Sequence, residues 1–262
     1  MICLPCWKKP AAEMNLLLCL KPVSQQSFSD AFSQDEPNGR LAGGQTVINP
    51  ADAYALELAL RLKDRGSAGR ITVMTMAPPS AEPMLRHALA AGADDAFLVT
   101  DPLFAGADTL ATSQILAAAV RLLPPQDLIL CGKKAIDAET GHIGPQLACL
   151  LGLDCWSNVL RFTADTLVRA EAEGERAYPL PPRALLTVIN GSTQLRAPTI
   201  AGLRAARDRQ IRRLDSSLIA PAASGTETLS VTEQVFAHRH GVMEQDLERG
   251  LESLYERIMA CK

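Results

Sequence analysis

The feature that most constrains this chain is a regular alternation. Short continuous apolar runs trade places with segments of helical period from residue 16 to residue 151. Leu16–Leu20 (LLLCL) is the first run, stopped by Lys21-Pro22, as suits a buried strand. Asn49-Pro50 opens Ala51–Arg65, where Ala55, Leu58, Ala59 and Leu62 recur at helical spacing. Ile71–Met76 reads as a strand closed by Ala77-Pro78-Pro79, and Ala81–Ala91 as a helix capped by Gly92. Ala96–Val99, Asp108–Leu122, Asp127–Cys131 and Gly144–Leu151 continue the series as strand, helix, strand and helix. Thr166–Val168 and Ala184–Ile189 are two further apolar stretches. Such alternation predicts an α/β fold: a parallel twisted sheet with helices on both faces.

The rest of the chain is different. Met1–Glu13 precedes the first strand and carries a lone C-x-x-C, Cys3 and Cys6, with no second pair to complete a zinc site. We read it as an N-terminal extension without fixed structure, and its short apolar stretch makes a poor signal peptide. Ser24–Gly44 is a polar, Gly-rich excursion of hairpin type. Arg204, Arg207, Arg209, Arg212 and Arg213 form a basic stretch, and Ser216–Ser230 reads as an extended arm. Glu244–Met259 carries Leu247, Leu251, Leu254 and Ile258 at helical spacing. An amphipathic helix this short must dock its stripe on something. The organisation expected is therefore an extension over 1–13, one α/β domain over 14–214, and an arm with a helix over 215–262.

Composition narrows the function. The net charge of −3 gives no basic field for nucleic acid, and no run of about 18 apolar residues is present to span a membrane. Seven scattered cysteines, an odd number, suit a reduced cytosolic chain. In a parallel sheet, ligands bind beyond the carboxyl ends of the strands. The segments to inspect are Cys19–Val23, Thr75–Pro79, Thr100–Asp108 and Gly132–Gly144. The last lies in CGKKAIDAETGHIGPQ, Cys131–Gln146, which runs from a strand through three glycines into a helix. Such a turn lets backbone N–H groups meet a phosphate, with the Thr140 hydroxyl beside them. It has neither Walker A nor G-x-G-x-x-G spacing. The four histidines His87, His142, His238 and His240 do not fall at metal spacing.

Six blocks in order resemble the beta subunit of electron transfer flavoproteins, including the nitrogen-fixation-linked FixA members. They are CLKPV at Cys19–Val23, NPADAYALELALRLK at Asn49–Lys63, TMAPP at Thr75–Pro79, GADDA at Gly92–Ala96, AGADTLATS at Ala105–Ser113 and LILCGKKAIDAETGHIGPQ at Leu128–Gln146. The resemblance implies an adenine-nucleotide-binding, Rossmann-like fold and a bacterial cytoplasmic protein. It also implies an alpha subunit carrying the electron-transferring FAD. The beta subunit would hold AMP in simple carriers, or another FAD in electron-bifurcating members that oxidise NADH. Such a subunit is an electron-transfer protein rather than a classical enzyme, with no catalytic side chain or metal of its own. It would pass electrons to or from an acyl-CoA-type or other flavin dehydrogenase. A stand-alone nucleotide-binding protein of the universal-stress type is the alternative.

The residues carried over to the cofactor are Cys19, Asn49 and Met76 around the adenosine, and Gly132, Ala135, Thr140, Gly141, His142, Ile143 and Gly144 in the phosphate loop. Asp108 and Thr112 join them from the block that resembles bifurcating members. Departures from the family pattern are Gln25 for Asp, Lys134 for Gln, Ala138 for Gly, Glu139 for Asp and His142 for Gln; Ala138 matters if that position needs positive φ. GSTQLRAPTIAGL at Gly191–Leu203 resembles the family's partner-docking loop. It makes Ile200 the apolar anchor and Arg196 the family arginine. The alternative is that Ile200 folds into its own core.

Overall fold

In the computed structural model, the described residues are 14–24, 46–189, 191, 193–227 and 246–260. Cys3, Cys6, Gln25, His238, His240 and nearly all of the excursion therefore lie outside them. The chain divides into two compact units, residues 1–231 and 232–262.

The first unit opens with strand β1 (Met14–Cys19) and a short antiparallel pair, β2 (Pro22–Ser24) with β3 (Thr46–Ile48), which closes the base of the excursion as a hairpin would. Helix α1 (Pro50–Asp64) begins with proline, whose fixed φ and missing N–H suit a first turn. Then come β4 (Ala68–Met76), α2 (Glu82–Ala91), β5 (Asp95–Val99), α3 (Thr109–Arg121), β6 (Leu128–Gly132) and α4 (Ile143–Leu151). The unit continues through β7 (Cys155–Phe162), β8 (Thr166–Glu171), β9 (Gly174–Pro179), β10 (Ala184–Val188), α5 (Ile200–Asp208) and β11 (Ile211–Leu214).

Nine strands of the described residues form one sheet in the order β11-β5-β4-β1-β6-β10-β7-β8-β9. The seven strands from β11 to β7 are parallel, as the alternation predicts. The far edge differs: β8 and β9 add as an antiparallel meander. β7, β9 and β11 escape sequence reading for a physical reason. They sit at or near the sheet's margins, where one face meets water, so their apolar runs are broken. IRRL of β11 exposes Arg212 and Arg213 and buries Leu214.

Side chains alternate across a strand, and the two faces collect separate cores. Leu16, Leu18, Ile71, Val73, Leu98, Leu128, Leu130 and Leu186 pack with α1 and α2 on one face. Leu17, Cys19, Met74, Val99, Ile129, Cys131 and Leu185 pack with α3 and α4 on the other. Arm residue Ile219 is buried in the second core, so the segment after β11 lies against this domain.

In the second unit, helix α6 (Leu247–Ala260) is observed where Glu244–Met259 is expected. Considered by itself, it exposes Leu251, Leu254, Tyr255 and Met259. The side chains of Leu247 and Ile258 lie outside the described residues.

Candidate functional site

The sheet order turns at β1. From it the chain steps outward to β4 and β5, then crosses back to β6 on the other side. That reversal opens a crevice at the carboxyl ends of β1 and β6. Cys19 and Cys131 are direct partners across these ends. Burial pushes the Cys19 thiol up to about 12, with the Asp52 charge adding to it. Burial raises Cys131 as well. Both are therefore neutral packing groups at physiological pH, not nucleophiles.

The first turn of α1 stitches the crevice together. Asn49, almost fully buried, donates from Nδ2 to the Lys134 carbonyl at 3.2 Å and accepts the Ile136 N–H on Oδ1 at 3.2 Å. Its backbone N–H also donates to the Lys21 carbonyl at 2.9 Å. One turn on, buried Asp52 accepts the Lys21 N–H on Oδ2 at 2.8 Å and the Gly132 N–H on Oδ1. Thus Asn49, expected beside the adenosine, has both ends of its amide engaged by the loop's own backbone. Asp52 is absent from the sequence-based site altogether. Its signal was the i, i+3 spacing from Asn49, which puts both side chains on one face of the helix start.

The loop from Gly132 into α4 is held by ion pairs at its exposed turn. Lys21 pairs with Asp137 at 2.6 Å, and Lys134 with Glu139 at 2.9 Å. Lys134 therefore has a local acidic partner. Positive φ falls on Glu139 (51°) and Gly141 (66°), not on Ala138, so the alanine there is unstrained. A side chain at Gly132 would place its Cβ 2.6 Å from Asp52 Oδ1, and one at Gly144 would stand 2.3 Å from Thr187 Cγ2. Both glycines are close-approach positions. Helix α4 starts without a side-chain cap. Among the described residues, no acceptor faces the N–H groups of Ile143 and Gly144. Together with the helix dipole, those donors make the loop end favourable to an anion.

Of the expected cofactor residues, Cys19, Asn49, Gly132, Ala135, Thr140, Gly141, His142, Ile143 and Gly144 converge on these two strand ends. Met76 ends the adjacent β4. Thr112 donates from Oγ1 to the Ala107 carbonyl at 3.4 Å in the first turn of α3. Helices α3 and α4 are joined near their starts, where Thr109 Oγ1 lies 3.3 Å from His142 Nδ1 and buried Ser113 Oγ lies 3.0 Å from Gln146 Oε1. Asp108 caps α3 through the Ala111 N–H at 2.8 Å. Its other oxygen accepts the Gly225 N–H at 2.8 Å and the Thr226 hydroxyl at 3.2 Å. Those hydrogen bonds, the Ala111 N–H foremost, hold its carboxyl below the ordinary range. In this structure Asp108 is occupied by the arm.

Arg196 and Ile200 lie on other surfaces. Arg196 is anchored on α1 by Glu57 Oε2 at 3.0 Å and Asp64 Oδ2 at 2.8 Å. Burial raises the Glu57 carboxyl, but hydrogen bonds from Arg196 and Arg61 outweigh it and hold the group below its usual value. Thr199 caps α5 through the Gly202 N–H at 3.0 Å, which leaves Ile200 at the helix start 74% exposed. It is not part of the core.

This is a doubly wound α/β protein with a glycine-containing strand-to-helix loop at its topological switch point. Residues 42–218 match the electron transfer flavoprotein domain. The chain is 39% identical to the electron transfer flavoprotein subunit beta of Megasphaera elsdenii over 218 residues, 79% of this chain and 80% of that one. It is 42% identical to the protein FixA of Bradyrhizobium diazoefficiens, covering 76% and 73% of the two chains. The subunit CarD of the caffeyl-CoA reductase-Etf complex of Acetobacterium woodii is 43% identical over about half of each chain. The chain belongs to the electron transfer flavoprotein family, in its beta-subunit and FixA branch. Among the described residues no helix is long and apolar enough to cross a membrane.

Proposed function

We propose that this chain binds an adenine nucleotide, AMP or FAD, in the crevice between β1 and β6, and works as the beta subunit of a heterodimeric electron carrier. The observation that carries the reading is the Gly132–Gly144 loop. The open N–H groups at the start of α4 fit a phosphate, Gly132 and Gly144 let the loop pack tightly against α1 and β10, and Asn49 and Asp52 hold it in place. A bound flavin would supply the redox chemistry. The chain's own residues would bind and orient it: backbone donors at Ile143 and Gly144 on phosphate, with the Thr140 hydroxyl and His142 at the loop's open side. Of the two nucleotides we favour FAD, because Ala105–Ser113 and the L-R form of the 191–203 loop resemble the bifurcating members. In that case the subunit would oxidise NADH.

The alpha subunit is the partner that would cover the stripe on α6, and a flavin dehydrogenase of the acyl-CoA type the partner for the exposed Ile200. The relative from Acetobacterium woodii is named as part of a reductase–Etf complex, which accords with this arrangement. A bacterial cytoplasmic location fits the same reading. The test is nucleotide release. The chain is co-expressed with its alpha subunit, the complex is denatured, and FAD and AMP are quantified by chromatography. Two FAD per heterodimer is the expected result. One FAD and one AMP would make it a simple carrier. Neither nucleotide would refute the proposal.

A further inference from the structure

We propose that Asp52 is a positioning residue for the nucleotide: its carboxylate ties the loop after β1 to the end of β6 and so sets the opening of the crevice. The proposal rests on the nucleotide reading above, but the geometry is independent of it. One carboxylate on the first turn of α1 accepts the Lys21 N–H and the Gly132 N–H. One donor lies just after β1 and the other ends β6, the neighbouring strands that flank the topological switch. The Asp52 residue is only 4% exposed, and Gly132 has no room for a side chain because Oδ1 is already there.

The bond is kept at a cost to the fold. Burial pushes the Asp52 carboxyl up to about 6, although the N–H groups of Lys21 and Gly132 and the Asn49 side chain pull it down. The folded state therefore holds this proton more tightly than the unfolded state. Sign and window follow: the ionised carboxylate costs stability, increasingly so as pH rises from the ordinary aspartate range to about 6, and fully above it. A group retained for stability alone would be expected to carry no such charge. The other groups that face it are the Lys21 ammonium, itself paired with Asp137, and the Cys19 and Cys131 thiols, which burial keeps neutral. Asp52 is thus the group in this cluster that changes charge near pH 6. Protonation makes one of the two oxygens a hydroxyl, a weaker acceptor than a carboxylate oxygen, so one of the two ties is weakened.

The experiment uses the heterodimer and the variant Asp52→Asn, which keeps the shape and removes the charge. Release of the bound nucleotide is followed by dilution between pH 5 and pH 8. Wild type should release it at least tenfold faster at pH 5 than at pH 8. Asp52→Asn should release it fast throughout, with no step near pH 6, while its unfolding temperature at pH 8 stays equal or rises. A merely structural role predicts a lower unfolding temperature instead. A variant that keeps wild-type release rates, or keeps the step near pH 6, overturns the proposal. In the unmodified chain, the Lys21 and Gly132 amide protection factors should fall together below about pH 6; pH-independent protection also overturns it. A complex that carries no nucleotide would refute the parent reading alone, and amide protection would still decide the role of Asp52.

Discussion

Gly144→Ala adds one methyl group at the place where α4 meets the sheet. The new Cβ would stand 2.3 Å from Thr187 Cγ2 and 3.1 Å from Cys131 Sγ. Neither neighbour can step aside. Thr187 is β-branched, buried, and paired in register with Cys131 on the adjacent strand β6. The start of the helix must lift instead. Overpacking of this kind costs about 1–3 kcal/mol. Alanine's better helix propensity returns at most about 1 kcal/mol, and less in a first turn. A net loss of about 1–2 kcal/mol should lower the melting temperature by about 2–8 °C in a domain of this size. Calorimetry of the heterodimer reads the shift directly. The mechanism is checked by Thr187→Ser, which removes Cγ2. Alone it should cost about 1 kcal/mol for the lost methyl group. Combined with Gly144→Ala it should recover more than half of the alanine's cost, a coupling that independent sites do not show. A Gly144→Ala protein that melts at or above wild type, or a double variant with simply additive losses, would refute the packing argument.

Arg196→Ala leaves the buried Glu57 carboxylate with Arg61 as its remaining partner and should cost about 1–2 kcal/mol by denaturant titration at neutral pH. Because the folded Glu57 carboxyl lies below its usual value, that difference should be full above the unfolded value and shrink as pH falls through the folded one; a pH-independent difference would contradict the pairing. Asp108→Ala should speed amide exchange at Ala111 and at Gly225 together, since one carboxylate serves both; an effect on Ala111 alone would mean the arm is seated by other contacts. Ile200→Asp should change stability by no more than about 0.5 kcal/mol, as expected for an exposed site. The same variant should slow electron transfer to a dehydrogenase while flavin content is kept; loss of flavin would speak against a docking role. Deleting residues 246–262 should weaken association with the alpha subunit in sedimentation or titration, and an unchanged association constant would rule out that use of α6.

What could be read from sequence follows the physics of burial. β1, β4, β5, β6 and β10 lie between neighbours on both sides with both faces covered, so each is a continuous apolar run. The margins are another matter. β9 is mostly exposed and reads GERAYP, with no apolar run to find. β7 breaks its pattern at Asn158, which takes a positive φ of 61° where its register with β10 shifts. At the site, the phosphate-type loop was visible because glycine leaves a compositional trace. Asp52 was not, because an acidic residue in a helix's first turn is ordinary and favourable to the dipole. Only the fold shows that this one turns inward. Asp108 was visible by resemblance and as the first residue of an expected helix, but its second bond reaches Gly225, more than a hundred residues away, and no local pattern encodes that.

The polar side chains around the strand ends share a property that bears on how the site should respond to mutation. Asn49, Asp52, Asp108 and Ser113 are all engaged within the protein: Asn49 and Asp52 by backbone groups, Asp108 by backbone groups and the Thr226 hydroxyl, and Ser113 by the Thr109 carbonyl and Gln146. The open donors are main-chain N–H groups of the loop and α4. A ligand held chiefly by main-chain donors is insensitive to which side chains line the crevice, and sensitive to where the loop stands. Substitutions at Thr140 or His142, on the open side, should therefore change affinity less than substitutions at Asn49 or Asp52, whose side chains bond the protein's own backbone. Asn49 and Asp52, which bond the loop's backbone, act through tenths of an ångström in the loop. The N–H···O bond weakens steeply as its angle falls, so small displacements of Gly132 or Ile143 are enough to matter.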